Sequence, residues 1–365
     1  MGRSKLRIAV VGIRFGAEFV PIYQRHPDVG EVVLCDTNLE RLNEVGDRFG
    51  VRRRFTDVDA LLAAPDIDAV HLLTPVLLHA QQAVRVLEAG KHCACAVVMG
   101  HSIEELRSVI AAQQTSGKNY MMMETVVYSR EFLYVKDLYD RGDFGELTFL
   151  RGVYFQDVEG YPEYWRQVPP MRYSTHALAP LLALAGTRAT KVNCLGSGRL
   201  SPHLQVPGGN PFRLETGLFR LEHSDVAAEV TRSWFETARP YVEKFHIYGT
   251  KRGFEWNQLH DEKPALFTLS DERTPWGRPV ATERVTIPDY ADRLPTSIRE
   301  FTQYETDGAH GGSHPHLVHE FVRSIVEARS PAIDAITAAD WTAPGICAHE
   351  SALLDGETVT IPTFR

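Results

Sequence analysis

The feature that most constrains the fold is an alternation of β-branched runs and helical patterns at the start of the chain. Leu6–Val11 (LRIAVV) is apolar on both faces of a strand, which is typical of a buried strand in a parallel sheet. Gly12 follows at once, and a helical pattern then leads to a second apolar strand that ends at Asp36. Another helical pattern leads to a third strand, 68–73. This β-α-β-α-β order predicts a doubly wound parallel sheet in an α/β domain.

The turn after the first strand carries most of a dinucleotide-binding fingerprint, G-x-G-x-x-G/A. Gly12 and Ala17 occupy its first and third positions, whereas Arg14 stands where the second glycine is expected. Glycines matter there because backbone N–H groups must approach a pyrophosphate at the start of a helix. The residues of this turn that we expect to contact the cofactor are Gly12, Ile13, Arg14 and Phe15.

Asp36 indicates which dinucleotide is bound. It lies 24 residues after Gly12, at the end of the second strand. A carboxylate there accepts hydrogen bonds from both ribose hydroxyls and repels a 2′-phosphate, and the following Thr37 and Asn38 are uncharged. We therefore expect NAD rather than NADP. The alternative is a strand–turn–helix unit that holds no ligand.

The pattern of the first third continues to about residue 125, where we place a domain boundary. Helical spacing covers 77–87, and a strand is expected at His92–Met99. Ser102 begins a capping box for the next helix, and a last strand is expected at Tyr120–Thr125. Residues 1–125 are thus predicted to form an NAD-binding Rossmann domain.

Beyond that boundary, strand-like segments follow one another with few helices between them. They lie at 146–157, 191–198, 213–224, 227–236 and 243–256. Helical patterns return at 310–329 and 335–354. Residues 126–365 are therefore predicted to form an α+β substrate-binding and oligomerisation domain with a large, mainly antiparallel open sheet.

Composition argues against several kinds of partner and location. The net charge is −8 and the pI about 6.0, so we expect neither nucleic acid nor an anionic membrane surface as a partner. The five cysteines include no CxxC pair, and the N-terminus lacks the apolar core of a signal peptide. The longest apolar stretch, LAPLLALAG, is too short for a membrane span. We expect a cytoplasmic protein.

Two short motifs connect this arrangement with a known family. Thr74–Ala80 reads TPVLLHA, Gly90–His92 reads GKH, and a large sheet domain follows. This order resembles the Gfo/Idh/MocA oxidoreductases over essentially the whole chain. The resemblance implies NAD or NADP in the first domain, a sugar or cyclitol substrate at the sheet domain, and a homo-oligomer, either a dimer or a tetramer. It adds further expected cofactor contacts, namely Thr74, Pro75, His79, Cys95 and Glu124.

The chain departs from the family at two positions that usually carry catalysis. The usual strand reads C-E-K-P-L, and its Lys is catalytic; here Cys95–Met99 reads CAVVM, with Val97 in the place of the Lys. A valine can neither carry charge nor transfer a proton. In the second motif, D-x-x-x-H, His176 is kept but Arg172 stands where Asp is expected.

Five further segments resemble one branch of the family, the NAD-dependent glycoside hydrolases such as the α-N-acetylgalactosaminidases and sulfoquinovosidases. They are MMMETVVY at 121–128, GVYFQD at 152–157, YSTHALAP at 173–180, RPY at 239–241 and GAHGGSHPH at 308–316. The resemblance implies a set of catalytic residues, namely His176, Tyr154, Tyr241 and Tyr173. It also implies a substrate contact from Glu124, and we further expect contacts from Gln156, Arg172, His310 and His314. Gln156 stands where that branch tends to have a His.

The chemistry implied by this branch is hydrolysis through a transient ketone. A hydride leaves carbon 3 of the sugar for NAD⁺, the acidified hydrogen on carbon 2 is removed, the glycosidic oxygen departs, water adds, and the hydride returns. His176 is the expected base at the oxidised hydroxyl, and Tyr154 or Tyr241 is expected to move the second proton. Arg172 would suit an anionic group on the sugar, such as a sulfonate or a uronate.

Structural roles compete with these functional ones. His176 could cap the apolar helix that follows it, Tyr154 could belong to the core, and Arg172 could pair with Glu163. The histidines of the 310–319 segment suggest zinc, but Gly and Pro interrupt them and no HExxH motif is present, so we expect no metal. A net NAD-dependent sugar or cyclitol dehydrogenase is the alternative function, and a non-catalytic NAD-binding regulator is the third.

Overall fold

The computed structural model describes residues 5–259, 261–303 and 310–365. Packing divides the chain into two units, of which the first comprises Met1–Tyr128, Asp289–Ala339 and Phe364–Arg365, and the second Ser129–Pro288 and Asp340–Thr363. The sequence suggests a single boundary near residue 125, which would leave 289–339 in the second domain. That segment clusters with the first unit because its helix at 314–326 packs there against the helix at 20–25.

The first unit contains, within the described residues, a six-stranded parallel sheet in the order β3-β2-β1-β4-β5-β6. Its strands are β1 (Leu6–Val11), β2 (Val29–Cys35), β3 (Arg54–Phe55), β4 (Ala69–Leu72), β5 (His92–Cys95) and β6 (Tyr120–Met122). The predicted doubly wound parallel sheet is confirmed. The strand order reverses beside β1, and ligands of such sheets bind at the carboxyl ends of the strands at this point.

Helices connect these strands and continue through the chain. They are α1 (Ile13–Gly16), α2 (Val20–Arg25), α3 (Leu39–Arg48), α4 (Val58–Leu62), α5 (His79–Glu88), α6 (Ile103–Ser116), α7 (Arg130–Asp140), α8 (Thr175–Ala185), α9 (His314–Val326) and α10 (Ala335–Leu353). The helix after Gly12 is broken between α1 and α2, because Pro21 has no N–H to give to the preceding turn. β5 ends at Cys95 rather than at Met99, since the Val98 carbonyl turns to His79.

The second unit contains, in its described part, a nine-stranded sheet in the order β14-β13-β12-β11-β7-β10-β9-β8-β15. Its strands are β7 (Leu147–Phe155), β8 (Ala189–Arg199), β9 (Phe212–Leu221), β10 (Ala227–Ser233), β11 (Val242–Gly249), β12 (Arg252–Glu255), β13 (Ala265–Leu269), β14 (Val280–Arg284) and β15 (Val359–Thr360). The pairs are antiparallel except that β7 and β10 run parallel, so the predicted sheet is confirmed. The segment expected as one strand at 243–256 forms two, β11 and β12.

Three central strands of this sheet bring distant residues into one row. β7 pairs in parallel with β10 and antiparallel with β11, so Tyr154 lies opposite Arg232 on one side and Glu243 on the other. Residues paired across strands point to the same face of a sheet. Glu215 of β9 lies opposite Arg232 and extends the row. One tyrosine therefore has a cation and a carboxylate as its two lateral neighbours.

The helix α8 packs closely on this face because of Gly152. A Cβ atom on Gly152 would lie 2.1 Å from the carbonyl oxygen of Ala177, far inside van der Waals contact. Side chains two residues apart on a strand share a face, so Tyr154 points to the same side as this contact. His176, in the first turn of α8, thereby reaches Tyr154, and the two ring centroids are 5.5 Å apart.

Two further features concern the packing of the whole chain. Among the described residues, no helix has the length and apolar content that a membrane crossing requires. All five cysteines are buried and form no disulfide. Burial raises the pKa of the Cys35 thiol to about 12, which leaves it protonated near neutral pH.

Replacing Gly152 with Ala should push α8 away from the sheet. We expect Gly152→Ala to lower the free energy of unfolding by about 1–3 kcal/mol, the usual cost of overpacking a core. Chemical denaturation followed by circular dichroism measures this loss. Gly217→Ala on β9 is the matched control, because the atom nearest to its added Cβ is 3.3 Å away. Equal losses in the two variants would contradict the role given to Gly152.

Candidate functional site

The turn after β1 leaves no room for a side chain at Gly12. Gly12 has a φ of 84°, and an added Cβ would lie 2.6 Å from the carbonyl oxygen of Leu73. The turn therefore packs directly on the backbone that follows β4. Ile13 is fully buried and presents its backbone, whereas the Arg14 side chain is exposed. The replacement of the second glycine by Arg14 is thus accommodated without filling the turn.

Asp36 is held at the end of β2 by two backbone groups. Oδ2 accepts a hydrogen bond from the N–H of Ile13 at 3.0 Å, and Oδ1 accepts one from the N–H of Asn38 at 2.8 Å. The residue is 8% exposed, and each oxygen has a second lone pair. The carboxylate ties the nucleotide turn to β2 and can still accept hydrogen bonds from ribose hydroxyls. This arrangement fits NAD, whose adenosine ribose carries no 2′-phosphate.

The loops at the ends of β4 and β5 contain further expected cofactor contacts, which differ in accessibility. His79 is buried, and its two ring nitrogens each lie 2.9 Å from a backbone carbonyl oxygen, those of Thr74 and Val98. Cys95 is fully buried. The His79 side chain therefore links the two loops, and a cofactor contact by His79 or Cys95 stays a prediction in which their backbone groups would take part. Thr74 and Pro75 are partly or fully exposed and can contact one.

Glu124, expected to contact both cofactor and substrate, is fully buried just after β6. Its Oε1 accepts a hydrogen bond from the backbone N–H of Val126 at 3.1 Å. This bond stabilises the short 3-10 helix that begins at Val126. The structure therefore assigns Glu124 a local structural contact in the first unit.

His310 and His314, grouped with the sugar-binding residues from the sequence, lie in the first unit beside the nucleotide turn. Their ring centroids are 6.2 and 5.7 Å from that of Phe15. His314 is buried with its Nδ1 3.5 Å from a Glu18 carboxylate oxygen, and burial lowers its pKa well below the usual range. Both rings thus pack against Phe15, and a sugar contact by either histidine stays a prediction. Across the described ranges, no group of three His, Cys, Asp or Glu side chains is placed to hold a metal ion.

The four residues expected to be catalytic meet on one face of the second sheet. Tyr154 lies at the centre, with its ring centroid 5.5 Å from that of His176 and 5.7 Å from that of Tyr241. Tyr173 extends the cluster, 5.6 Å from His176. Tyr154 and His176 are buried, whereas Tyr241 is 47% exposed. We call Tyr154, Tyr173, His176 and Tyr241 the tyrosine–histidine cluster.

Glu243 contacts two members of the cluster, and no sequence motif marks it. Its Oε1 lies 3.7 Å from Nδ1 of His176, and its Oε2 accepts a hydrogen bond from the hydroxyl of Tyr241. Glu243 is 8% exposed, so its charge acts in surroundings of low dielectric constant. The sequence did hold a signal for it, because a residue two positions after Tyr241 on a strand shares the face of Tyr241.

Burial governs the ionisation of the two central tyrosines. Although the Tyr241 ring is partly exposed, its hydroxyl lies against the buried Glu243; desolvation there raises the pKa of Tyr241, and the charge of Glu243 raises it further. Burial, the largest influence, and the charge of Glu243 also raise the pKa of Tyr154, but there the positive charge of Arg232 and the hydrogen bond with Tyr241 act in the opposite direction. Tyr241 is therefore held in its protonated form, whereas Tyr154 has a cation that favours its phenolate.

Two expected substrate contacts flank the cluster. The Tyr154 hydroxyl donates a hydrogen bond to Oε1 of Gln156 at 3.0 Å. Arg172 is half-buried and pairs with neither Glu163 nor any other carboxylate in the described part of the chain. Its Nε atom is buried without a hydrogen-bond partner. The ion pair considered as a structural role for Arg172 is thus not formed.

The first sheet, its glycine turn and the strand-end Asp36 together define a dinucleotide-binding protein. Residues 6–124 match the model of an oxidoreductase family with an NAD-binding Rossmann fold. The nucleotide-binding domain therefore resembles the Gfo/Idh/MocA oxidoreductases over about a third of the chain, in line with the motifs after Thr74 and Gly90. Its cofactor is NAD.

Relatives resemble the chain over most of its length. A glycosyl hydrolase family 109 protein of Streptomyces niveus is 23% identical, covering 99% of this chain and 78% of its own. One of Shewanella baltica is 24% identical, covering 91% of this chain and 78% of its own. Levoglucosan dehydrogenase in complex with NADH shares the fold with a TM-score of 0.79 at 20% identity, covering 99% and 100% of the two chains. For an Agrobacterium radiobacter oxidoreductase solved with NAD⁺, L-tartaric acid and magnesium, the TM-score is 0.77 at 18% identity, covering 98% of each chain.

Asp36→Asn should weaken NAD binding and admit NADP. The amide removes the charge that repels a 2′-phosphate, and it frees Arg41, whose Nη1 lies 3.6 Å from Oδ2, to pair with that phosphate. Losing a hydrogen bond to a charged group costs about 1.5–3 kcal/mol, so the Kd for NAD should rise about ten- to a hundredfold. Isothermal titration calorimetry with both cofactors measures the change.

The matched control for this experiment is Asp57→Asn. Asp57 caps α4 in the same unit and accepts hydrogen bonds from the N–H groups of Asp59 and Ala60. The Asp57→Asn substitution should leave the affinities for NAD and for NADP unchanged. If Asp36→Asn kept the wild-type preference for NAD, Asp36 would not be the residue that sets it.

Proposed function

We propose that this chain is an NAD-dependent glycoside hydrolase, which cleaves a glycoside through transient oxidation at carbon 3 of the sugar. The observation that carries the proposal is the convergence of the tyrosine–histidine cluster on Glu243, in a chain with a buried Val97 at the usual place of the Lys. This route needs at least two proton-transfer groups besides the oxidant. The glycosyl hydrolase names of relatives that cover most of the chain support the same function.

The residues that would hold the cofactor lie at the carboxyl ends of the first sheet. The backbone of the Gly12 turn suits the pyrophosphate, Asp36 suits the adenosine ribose, and Thr74 and Pro75 border the same strand ends. When bound, NAD supplies a hydride acceptor for carbon 3 that later gives the hydride back. The remaining chemistry, which is proton transfer, falls to side chains of the second unit.

His176 is assigned as the base at the carbon-3 hydroxyl. It takes the hydroxyl proton while the carbon–hydrogen bond at carbon 3 breaks. Glu243, 3.7 Å from Nδ1, stabilises the imidazolium that results and orients the ring. A buried carboxylate is effective here because little water screens it.

Tyr154 and Tyr241 are assigned to the elimination step. Once carbon 3 is a ketone, the hydrogen on carbon 2 is acidic, and Tyr154 removes it as a phenolate. Tyr241 remains protonated, since burial and Glu243 both raise its pKa, and it donates a proton to the departing glycosidic oxygen. The two tyrosines are thus assigned opposite roles because Tyr154 has a cation, Arg232, beside it, whereas Tyr241 is hydrogen-bonded to the carboxylate of Glu243.

Net dehydrogenation of a sugar or cyclitol is the second candidate function. The His176–Glu243 contact favours it, because one base suffices to oxidise a hydroxyl without any elimination. A non-catalytic NAD-binding regulator is the third, and the replacement of the usual Lys by Val97 favours it. The three functions differ in their products and are separated by one assay.

We expect the purified protein, incubated with NAD⁺ and a panel of nitrophenyl glycosides in deuterated water, to release nitrophenol without accumulating NADH. Deuterium should appear at carbon 2 of the released sugar, because that hydrogen is exchanged during elimination. Absorbance and NMR record the two products. Accumulating NADH would instead identify a dehydrogenase, and NAD binding without turnover would identify a regulator.

Tyr154→Phe tests the base in the same assay. It should slow deuterium incorporation at carbon 2 by about 10²- to 10⁴-fold, the usual contribution of a general base. Tyr248→Phe is the matched control, because Tyr248 lies on β11 like Glu243 but donates its hydroxyl to Glu255 at 2.7 Å. Wild-type incorporation in Tyr154→Phe would refute the assignment of Tyr154.

We also propose that the sugar carries an anionic group, such as a sulfonate or a uronate, that Arg172 binds. Arg172 directly precedes Tyr173 of the cluster, has no carboxylate partner in the described part of the chain, and has a buried Nε without a hydrogen bond. A half-buried guanidinium without a counter-charge is stabilised when a planar or tetrahedral anion binds.

Arg172→Ala should lower the affinity for anionic glycosides by about ten- to a hundredfold while neutral glycosides lose little. Competition binding with matched pairs of glycosides measures both affinities. Arg166→Ala, a half-buried arginine a few residues earlier in the same connection, is the control. Equal losses for anionic and neutral glycosides would exclude an anion site at Arg172.

A further inference from the structure

The most unusual charge in the described structure is that of Arg232, on β10. Arg232 is completely buried. Its guanidinium donates hydrogen bonds to the backbone carbonyl oxygens of Tyr154 and Tyr173, both at 3.3 Å, and to that of Ser233. No carboxylate of the described residues pairs with it. Glu215, opposite on β9, is occupied instead by the Nδ1 of His349 and the N–H of Met171. The cation is therefore held by neutral groups.

Aromatic rings supply the rest of its surroundings. The central carbon of the guanidinium lies 3.5 Å from the ring centroid of Tyr154 and 3.8 Å from that of Trp234. Its Nη2 is buried without a hydrogen-bond partner. Burial lowers the pKa of Arg232 to about 10, so the group stays charged near neutral pH. Burying a cation without a counter-ion is energetically costly, and the two cation–π contacts offset only part of that cost.

Arg232 covers one face of the Tyr154 ring, and Tyr154 is the residue assigned as the base at carbon 2. We propose that Arg232 is a positioning residue whose buried guanidinium stabilises the phenolate form of Tyr154, an inference that rests on the proposed function. In the step concerned, the phenolate oxygen takes the proton from carbon 2, and the carbon–hydrogen electron pair passes into the enolate of the 3-keto sugar. The negative charge thus leaves the phenolate as the enolate forms, while Arg232 stays charged throughout.

The other groups that face Tyr154 do not supply the positive charge that stabilises its phenolate. Glu243 of β11 disfavours a phenolate, whereas the hydrogen bond with Tyr241 lowers the pKa of Tyr154 but supplies no positive charge. The His176 ring, at the start of α8, makes edge contacts with the rings of Tyr154 and Tyr173. The remaining polar neighbour, Gln156, accepts the Tyr154 hydroxyl proton in a hydrogen bond and so favours the neutral phenol. Arg232 is the permanent cation in this set, whereas His176 becomes an imidazolium only after it takes the carbon-3 hydroxyl proton, and Glu243 then lies against it.

A purely structural role for Arg232 is the competing explanation, because it also ties the backbones of Tyr154 and Tyr173 together. The two roles differ in what they do to the acidity of Tyr154. We therefore place a fluorinated tyrosine at position 154 of the full chain with bound NAD and follow its ¹⁹F resonance against pH, in the wild type and in variants of Arg232. This readout requires no substrate and no turnover.

Arg232→Met and Arg232→Gln remove the charge, and the glutamine amide keeps donors for the two carbonyls. Both should raise the pH midpoint of the ¹⁹F resonance by at least about one unit, a tenfold change in proton affinity. Arg232→Lys should stay close to the wild type. Arg199→Met is the matched control, since Arg199 lies 5.6 Å from the Phe212 ring centroid at an exposed position of β8.

An unchanged midpoint in a folded Arg232→Met or Arg232→Gln variant would overturn the proposal. Failure of both neutral variants to fold would overturn it as well, because it would assign Arg232 to the stability of the sheet. The shift in midpoint without any glycoside cleavage by the wild type would uphold the electrostatic inference and refute the proposed function. In active protein, the same variants should slow deuterium incorporation at carbon 2 more than they slow oxidation at carbon 3.

Discussion

The cluster in the second unit depends on one steric constraint, the direct contact of β7 with the start of α8. That contact exists because Gly152 has no side chain and the carbonyl of Ala177 takes its place. It brings a helix-borne imidazole against a strand-borne phenol with both groups buried. Any larger residue at position 152 would push α8 away from β7 and so move His176 away from Tyr154.

The charges around Tyr154 follow from strand pairing rather than from ion pairing. Arg232 and Glu243 lie on opposite sides of it in one row of the sheet, and neither neutralises the other. Both side chains are buried, so the electric field of each charge acts on Tyr154 with little screening by water. The result is a gradient of potential across a single ring, positive on the β10 side and negative on the β11 side.

Sequence patterns predict the first unit well because its signals are local. A buried strand, a glycine and a strand-end Asp36 lie within one βαβ unit, and the sheet follows from their order. Arg232 and Glu243 escape such reasoning, since their meaning comes from register between strands far apart in the chain. The position of His310 beside Phe15 escapes such reasoning for the same cause, because the two residues lie far apart in the chain.

The parallel pairing of β7 with β10 has a consequence for how the second sheet assembles. Antiparallel neighbours such as β11 and β12 close through a short hairpin, but the β7–β10 pair joins Tyr154 and Arg232 across 78 positions of chain. Closing a loop of that length is entropically costly and is repaid only when the intervening segment has packed. We therefore expect β7 and β10 to pair late in folding. Tyr154 and Arg232 would then come into register only after the intervening segment has packed.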